Sequence, residues 1–161
     1  MNAIVCVSQN WGIGRDGRLL FHISSDLRRF RRLTTDKTVI LGYKTLLTFP
    51  HAKPLPNRRN IVLTHRNLTI DGAEIAHSID DALALAGDDD VMVIGGSSVY
   101  AALLSRCAHV YVTKVDACPE ADSFFPDLDA DPAWSLGWQS GEFVEDGLRF
   151  RFLDYVNLSQ V

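Results

Sequence analysis

The chain has 161 residues, 47% of them hydrophobic and 22% charged, with a formal net charge of −4. Such a chain buries a full core without staples, and its acidic balance excludes a nucleic-acid binder that works through its whole surface. A small anionic ligand held by a local basic cluster stays open. Three cysteines (Cys6, Cys107 and Cys118) form an odd set with no zinc spacing, which predicts reduced, buried thiols. None of the five histidines has metal-ligand spacing, so no metal is expected. The start, Met1 to Asn10, lacks the basic region and long apolar run of a signal peptide, and no stretch approaches membrane-spanning length. The expectation is one cytoplasmic domain over residues 1–161, monomeric, with neither nucleic acid nor membrane as partner.

In chain order, Ala3–Val7 is a first apolar strand. Gln9–Ile23 is then a long connection with three glycines (Gly12, Gly14, Gly17) and two aromatics that read as exposed, Trp11 and Phe21. Loops of that length in compact domains are usually functional, and this one reads as a lid. A helix over Ser25–Leu33, opened by a serine cap, follows. Leu27, Phe30 and Leu33 recur at threefold spacing and mark its inward face, whereas Arg28, Arg29, Arg31 and Arg32 fall outward. Asp26 lies four residues before Phe30 and so shares the apolar face. It either complements the helix dipole or holds something in the core.

Further strands are expected at Thr38–Leu41, Asn60–Leu63, Val91–Ile94 and Val110–Val115. A short turn at Lys44–Leu47 and helices over Ser78–Ala86 and Ser97–Arg106 lie between or beside them. Continuous apolar strands alternating with helices predict an α/β fold with a predominantly parallel central sheet and helices on both faces. Trp134–Ser140 and Leu148–Tyr155 have no helix between them. With the turn signal Asp146-Gly147 they predict an antiparallel C-terminal hairpin at the sheet edge.

Several segments bear on chemistry. Gly95-Gly96 separates a buried strand from a helix start, which suits either a tight turn or a phosphate against free N–H groups. It is not the Rossmann glycine fingerprint. Thr64-His65-Arg66 and Lys44 stand at carboxyl ends of predicted strands, where ligands bind in open α/β sheets, although such ends are also polar simply because they meet water. Pro54 to Asn60 is a rigid turn presenting Arg58 and Arg59, either a carboxylate fork or a solvated pair. No Ser-His-Asp or Cys-His nucleophile pattern is legible. Tyr100 and Thr113 read as partly buried structural groups.

Together these pieces resemble dihydrofolate reductase from Ile4 through Phe152. The likeness rests on Ile4-Val5-Cys6-Val7-Ser8, Gly12-Ile13-Gly14-Arg15-Asp16-Gly17, Asp26-Leu27-x-x-Phe30 and Val39-Ile40-Leu41-Gly42-x-x-Thr45. It continues through Pro54-Leu55-Pro56-x-Arg58-x-Asn60, Ile94-Gly95-Gly96-x-x-Val99-Tyr100 and Asp122-x-x-Phe125-Pro126. The resemblance implies reduction of 7,8-dihydrofolate to tetrahydrofolate by hydride transfer from NADPH. Asp26 would anchor the pterin and promote N5 protonation, assisted by Thr113, Phe21 and Tyr100. Val5, Leu27, Phe30, Phe49, Leu55 and Ile94 would wall the substrate, and Arg58 would hold its α-carboxylate. On the cofactor side it implies Cys6, Ile13, Gly42, Thr45, Gly95, Gly96, Ser97, Ser98, Val99 and Tyr100. Lys44, Thr64, His65 and Arg66 would take the 2′-phosphate, the lid would close on the nicotinamide, and Asp122 would tether it.

The chain departs from the family pattern in two places. Leu20-Phe21 stands where Pro-Trp is usual, removing an indole N–H and loosening the lid. Tyr43 replaces a common Arg or Lys, weakening one phosphate contact. Two other readings compete: a pyrimidine reductase of riboflavin-pathway type, and a non-catalytic pterin-binding protein.

Overall fold

Short β-branched runs separated by helical segments leave each strand covered on both faces. The computed structural model, which describes residues 1–160, shows how two layers divide those runs. The elements are β1 (Asn2–Val7), β2 (Gly12–Arg15), β3 (Arg18–Leu19), α1 (Ser24–Thr34), β4 (Thr38–Gly42), α2 (Tyr43–Leu46), β5 (Arg59–Leu63) and β6 (Ala73–Ala76). They continue with α3 (Ile79–Ala86), β7 (Val91–Gly95), α4 (Ser97–Leu103), β8 (His109–Val115), β9 (Ser123–Phe124), β10 (Trp134–Gln139), β11 (Phe143–Glu145) and β12 (Leu148–Asn157). The main sheet runs β10-β12-β8-β1-β7-β4-β5-β6. The six strands from β8 to β6 pair in parallel, and β12 lies antiparallel on β8.

Alternation sorts the side chains. Val5, Val7, Ile40, Ile61, Val93 and Val112 enter a core shared with Ala82 and Ala86 of α3 and Val99 and Leu103 of α4. Ile4, Val39, Leu41, Val62, Met92 and Ile94 enter the opposite core beneath Phe30 and Leu33 of α1. Each continuous apolar run is therefore two half-runs, one per layer, as the sequence predicts for a sheet with helices on both faces.

Several local expectations need correction. The C-terminal hairpin contains an extra strand: β11 pairs with β12 through the turn at Asp146 (φ 50°) and Gly147 (φ 78°), and β10 continues the same edge. The Gln9–Ile23 segment is built rather than loose. β2 and β3 form a hairpin on Asp16 (φ 52°) and Gly17 (φ 76°), and β9 adds a third strand. Trp11 is not exposed; it is 4% accessible, wedged against Phe125 and Tyr155 with the Lys114 ammonium 4.6 Å from its ring. Cys107 is buried, but Cys6 is half-buried and Cys118 exposed, and all three thiols are free. Among the described residues no helix is long and apolar enough to cross a membrane.

Helix α1 differs most from its prediction. No serine side chain caps it. Instead the Glu145 carboxylate of β11 accepts from the Ser25 N–H (3.1 Å) and Ser25 hydroxyl (2.6 Å). A distant carboxylate thus meets the positive end of the helix dipole, and those two bonds hold Glu145 below the usual carboxylate range. The inward face is rotated as well. Leu27 is 42% exposed, whereas Arg29, expected outward, is only 8% exposed.

Candidate active site

The substrate half grows from β1, α1 and β8. Asp26 sits in the first turn of α1, where the Thr113 hydroxyl donates to its Oδ1 at 2.6 Å. Thr113 is 2% exposed and pairs with Cys6 across β8 and β1, so Cys6 faces the same carboxylate. Burial raises the Asp26 acid above the usual carboxylate range; the Thr113 hydroxyl, the Arg29 cation and the Cys6 thiol pull it partly back. An acid so placed can hold a cationic or N–H-rich ring.

Beside it lies an apolar slot. Ile4, Ile94, Phe30, Phe49 and Leu55 belong to one cluster, with Leu33 behind them. Val5, expected as a wall, points its side chain into the opposite core, because β1 alternates and Ile4 takes the slot face. Ile4 was therefore missed in the sequence, although period-2 alternation beside Cys6 was there to find it. The Pro54–Asn60 turn is locked by the buried Asn60, which accepts from the Leu55 N–H (3.0 Å) and donates to the Leu55 and Arg58 carbonyls (2.9 and 3.1 Å).

That turn delivers Arg58. Its Nε donates to Thr34 Oγ1 at the end of α1 (3.1 Å), and its Nη1 donates to the Pro56 carbonyl (2.6 Å). Burial and the neighbouring Arg31 charge both disfavour its protonated form. The Asp36 carboxylate offsets them in part. Arg59, by contrast, is engaged by Glu74 (2.6 Å) and Asp89 (2.7 Å) and plays no part in the slot.

The cofactor half is made mainly of backbone. The β4–β7 register shifts after Ile40, leaving Gly95 at φ 137° and a cis Gly95-Gly96 peptide facing Thr45. A Cβ at Gly95 would lie 3.1 Å from Thr45 Oγ1, and one at Gly42 would lie 3.4 Å from Val99 Cγ2. Gly42, Thr45, Gly95, Gly96 and Val99 thus form a cradle that side chains would fill. Gly96 precedes Ser97 and Ser98 of α4 and supplies no capping side chain, so first-turn N–H groups stay available to an anion. These residues fit a nucleotide pyrophosphate. Tyr100 is buried rather than partly buried, and its hydroxyl donates to the Ile4 carbonyl (2.6 Å), joining the cradle to the slot.

Basic groups meet at the carboxyl ends of β4 and β5. Lys44, His65 and Arg66 are exposed, and the Arg66 N–H donates to Thr64 Oγ1 (3.1 Å). The Arg66 guanidinium lies 5.8 Å from the Tyr43 ring, so the aromatic face of Tyr43 supports that cation. Ile13 is buried with Trp11 at the root of the lid.

The lid spans a cleft of about 570 Å3 between Asp16–His22 and Leu47-Thr48. Asp122 ties it down, accepting from the Asp16 N–H (2.9 Å) and donating its own N–H to the Gly14 carbonyl (3.0 Å). Phe21 is half-buried against Ile23, Val115 and Phe150, in the cluster that contains Cys6. Leu20 does more than loosen the lid: its N–H donates to the Ile13 carbonyl (3.3 Å), a bond that proline would lack.

A half-buried acid beside an apolar slot and a glycine cradle opening from the same parallel sheet define an α/β protein that can hold a flat N–H-rich ring next to a nucleotide phosphate. Comparison with known proteins narrows that class. The profile described as dihydrofolate reductase matches residues 1–157. Dihydrofolate reductase type 3 of Salmonella typhimurium is 38% identical over 88% of this chain and 85% of its own. The dihydrofolate reductase of Neisseria meningitidis serogroup B is 34% identical over 95% of each chain. A solved dihydrofolate reductase from Enterococcus faecalis, complexed with NADP(H) and RAB-propyl, superposes with a TM-score of 0.86 at 31% identity, covering 97% of this chain and 95% of its own. The chain belongs to the dihydrofolate reductase family. It is an NADPH-dependent oxidoreductase that reduces dihydrofolate.

Proposed function

We propose that Asp26 is the group that anchors the pterin and promotes protonation at N5. The observation that carries this is the 2.6 Å hydrogen bond from Thr113 to a carboxylate half-buried beside an apolar slot. With Oδ1 engaged by Thr113, Oδ2 is left to accept from the ring's amidine edge. Burial raises its affinity for protons, so the carboxylate that holds the ring can also help pass a proton towards N5. Ile4, Phe30, Phe49, Leu55 and Ile94 hold the ring and its aminobenzoyl group and exclude water, the exposed Leu27 of α1 adds to that wall when the ligand is bound, and Arg58 takes the terminal carboxylate. Phe21 closes the lid side, and Tyr100 orients β1. NADPH supplies the hydride, held through Thr45, Gly95, Gly96 and Ser97 to Val99, with Lys44, Thr64, His65 and Arg66 at its 2′-phosphate. The protein acts as a single cytoplasmic domain over residues 1–161, monomeric and independent of nucleic acid.

Asp26→Asn tests the assignment. The amide cannot carry the charge or relay the proton, so dihydrofolate-dependent NADPH oxidation at pH 7 should fall by about 100-fold or more. Full activity in that variant removes Asp26 from the mechanism.

A further inference from the structure

Arg29 is a buried guanidinium with no ion-pair partner. At 8% exposure it packs 4.6 Å from the Phe152 ring centroid and 5.8 Å from that of Tyr111, and its Nη1 donates to the Val112 carbonyl at 3.4 Å. Among the described residues no carboxylate oxygen lies within 4.0 Å of its nitrogens. A buried cation without a partner is destabilising and calls for a reason.

The neighbours supply one. Asp26 lies three residues earlier on α1, one turn away on the same face. The two side chains address consecutive residues of β8: Asp26 takes the Thr113 hydroxyl, and Arg29 takes the Val112 carbonyl. Phe152, under the guanidinium, pairs across the sheet with Thr113. The other nearby carboxylate, Asp154 of β12, is already engaged by the His109 ring at 3.0 Å. Arg32 on α1 only repels. The remaining groups facing Asp26 are the Thr113 hydroxyl of β8 and the Cys6 thiol of β1, both neutral.

We propose that Arg29 is a positioning residue for the reduction, a fixed buried counter-charge that keeps the Asp26 carboxylate ionised until the pterin arrives. The proposal rests on the reading of Asp26 as the pterin anchor. Removing the cation disfavours the charged carboxylate, so Asp26 takes its proton at higher pH. The rings around Arg29 make the site tolerant of an unbranched neutral side chain, which fits Arg29→Met.

The test is single-turnover hydride transfer by the intact enzyme, premixed with NADPH, followed from pH 5 to pH 10. In Arg29→Met and Arg29→Gln the midpoint of the fall in rate should move up by about half a pH unit or more, while the KM for dihydrofolate changes by less than about threefold. Arg29→Lys keeps the charge and should stay within about 0.2 unit of the parent. A midpoint unmoved in the neutral variants, or moved equally in Arg29→Lys, overturns the proposal. Should neither neutral variant fold, a displaced midpoint in Arg29→Lys overturns it and an unmoved one supports it. Unchanged profiles alongside an inactive Asp26→Asn enzyme defeat the role of Arg29 alone, whereas an active Asp26→Asn enzyme defeats the reading of Asp26 itself.

Discussion

The two halves of the site are built from different materials. The substrate half is side chains already fixed in place: a carboxylate bonded to Thr113, an arginine pinned to Thr34 and Pro56, and apolar walls from α1, β1 and β7. The cofactor half is main chain without side chains at Gly42, Gly95 and Gly96, fringed by the exposed Lys44, His65 and Arg66. In the proposed roles, one half reads the chemistry of a ring and must be rigid, because its hydrogen bonds decide which proton moves. The other grips phosphates, which accept N–H groups and positive charge from many directions.

That contrast can be broken most sharply at Gly95. An alanine there must adopt φ near 137° with its Cβ 3.1 Å from Thr45 Oγ1. The combined strain and clash should cost about 2–4 kcal/mol, read as a fall in unfolding midpoint together with lost NADPH binding. An alanine variant that binds NADPH normally would show that the cradle has slack. The fringe should respond more mildly. Arg66→Ala should weaken NADPH by about tenfold, near 1.4 kcal/mol, and leave NADH unchanged, as a titration with each nucleotide would reveal. Equal losses for both would move Arg66 away from the 2′-phosphate.

The substrate half carries the subtler prediction. Burial raises the proton affinity of Asp26 in the folded state, so the stability contributed by its protonated form is complete below about pH 4. It is lost as pH rises through the folded value. At pH 7 the buried charge is a liability, and Asp26→Asn should therefore melt higher than the parent, with the gap closing toward acid. Equal melting midpoints at pH 7 would mean that Thr113, Arg29 and Cys6 fully compensate the burial.

Much of the fold was legible because parallel strands covered on both faces announce themselves as unbroken apolar runs, and five such runs are present. Both Asp-Gly hairpins carried the same turn signal, yet the one at Asp16-Gly17 is hidden inside a segment rich in glycine. Facing is where the reading failed. Arg29 and Leu27 exchange their expected sides because α1 packs over Tyr111 and Phe152, which offer an arginine aromatic faces and a carbonyl. No rule of threefold spacing contains that information. The glycine cradle was legible only as one of two options, since a diglycine shows its use only when Thr45 and Val99 are brought against it. Glu145 was invisible because its partner Ser25 lies 120 residues away.

That last contact has a consequence for synthesis. Glu145 clamps the start of the helix that carries the acid, and Phe152 of β12 flanks Thr113 from the strand beside it. Both are among the later residues to be translated. The contacts that fix the acid-bearing helix therefore form only after residues 145–152 are synthesised, whereas every residue of the glycine cradle has been translated by Tyr100.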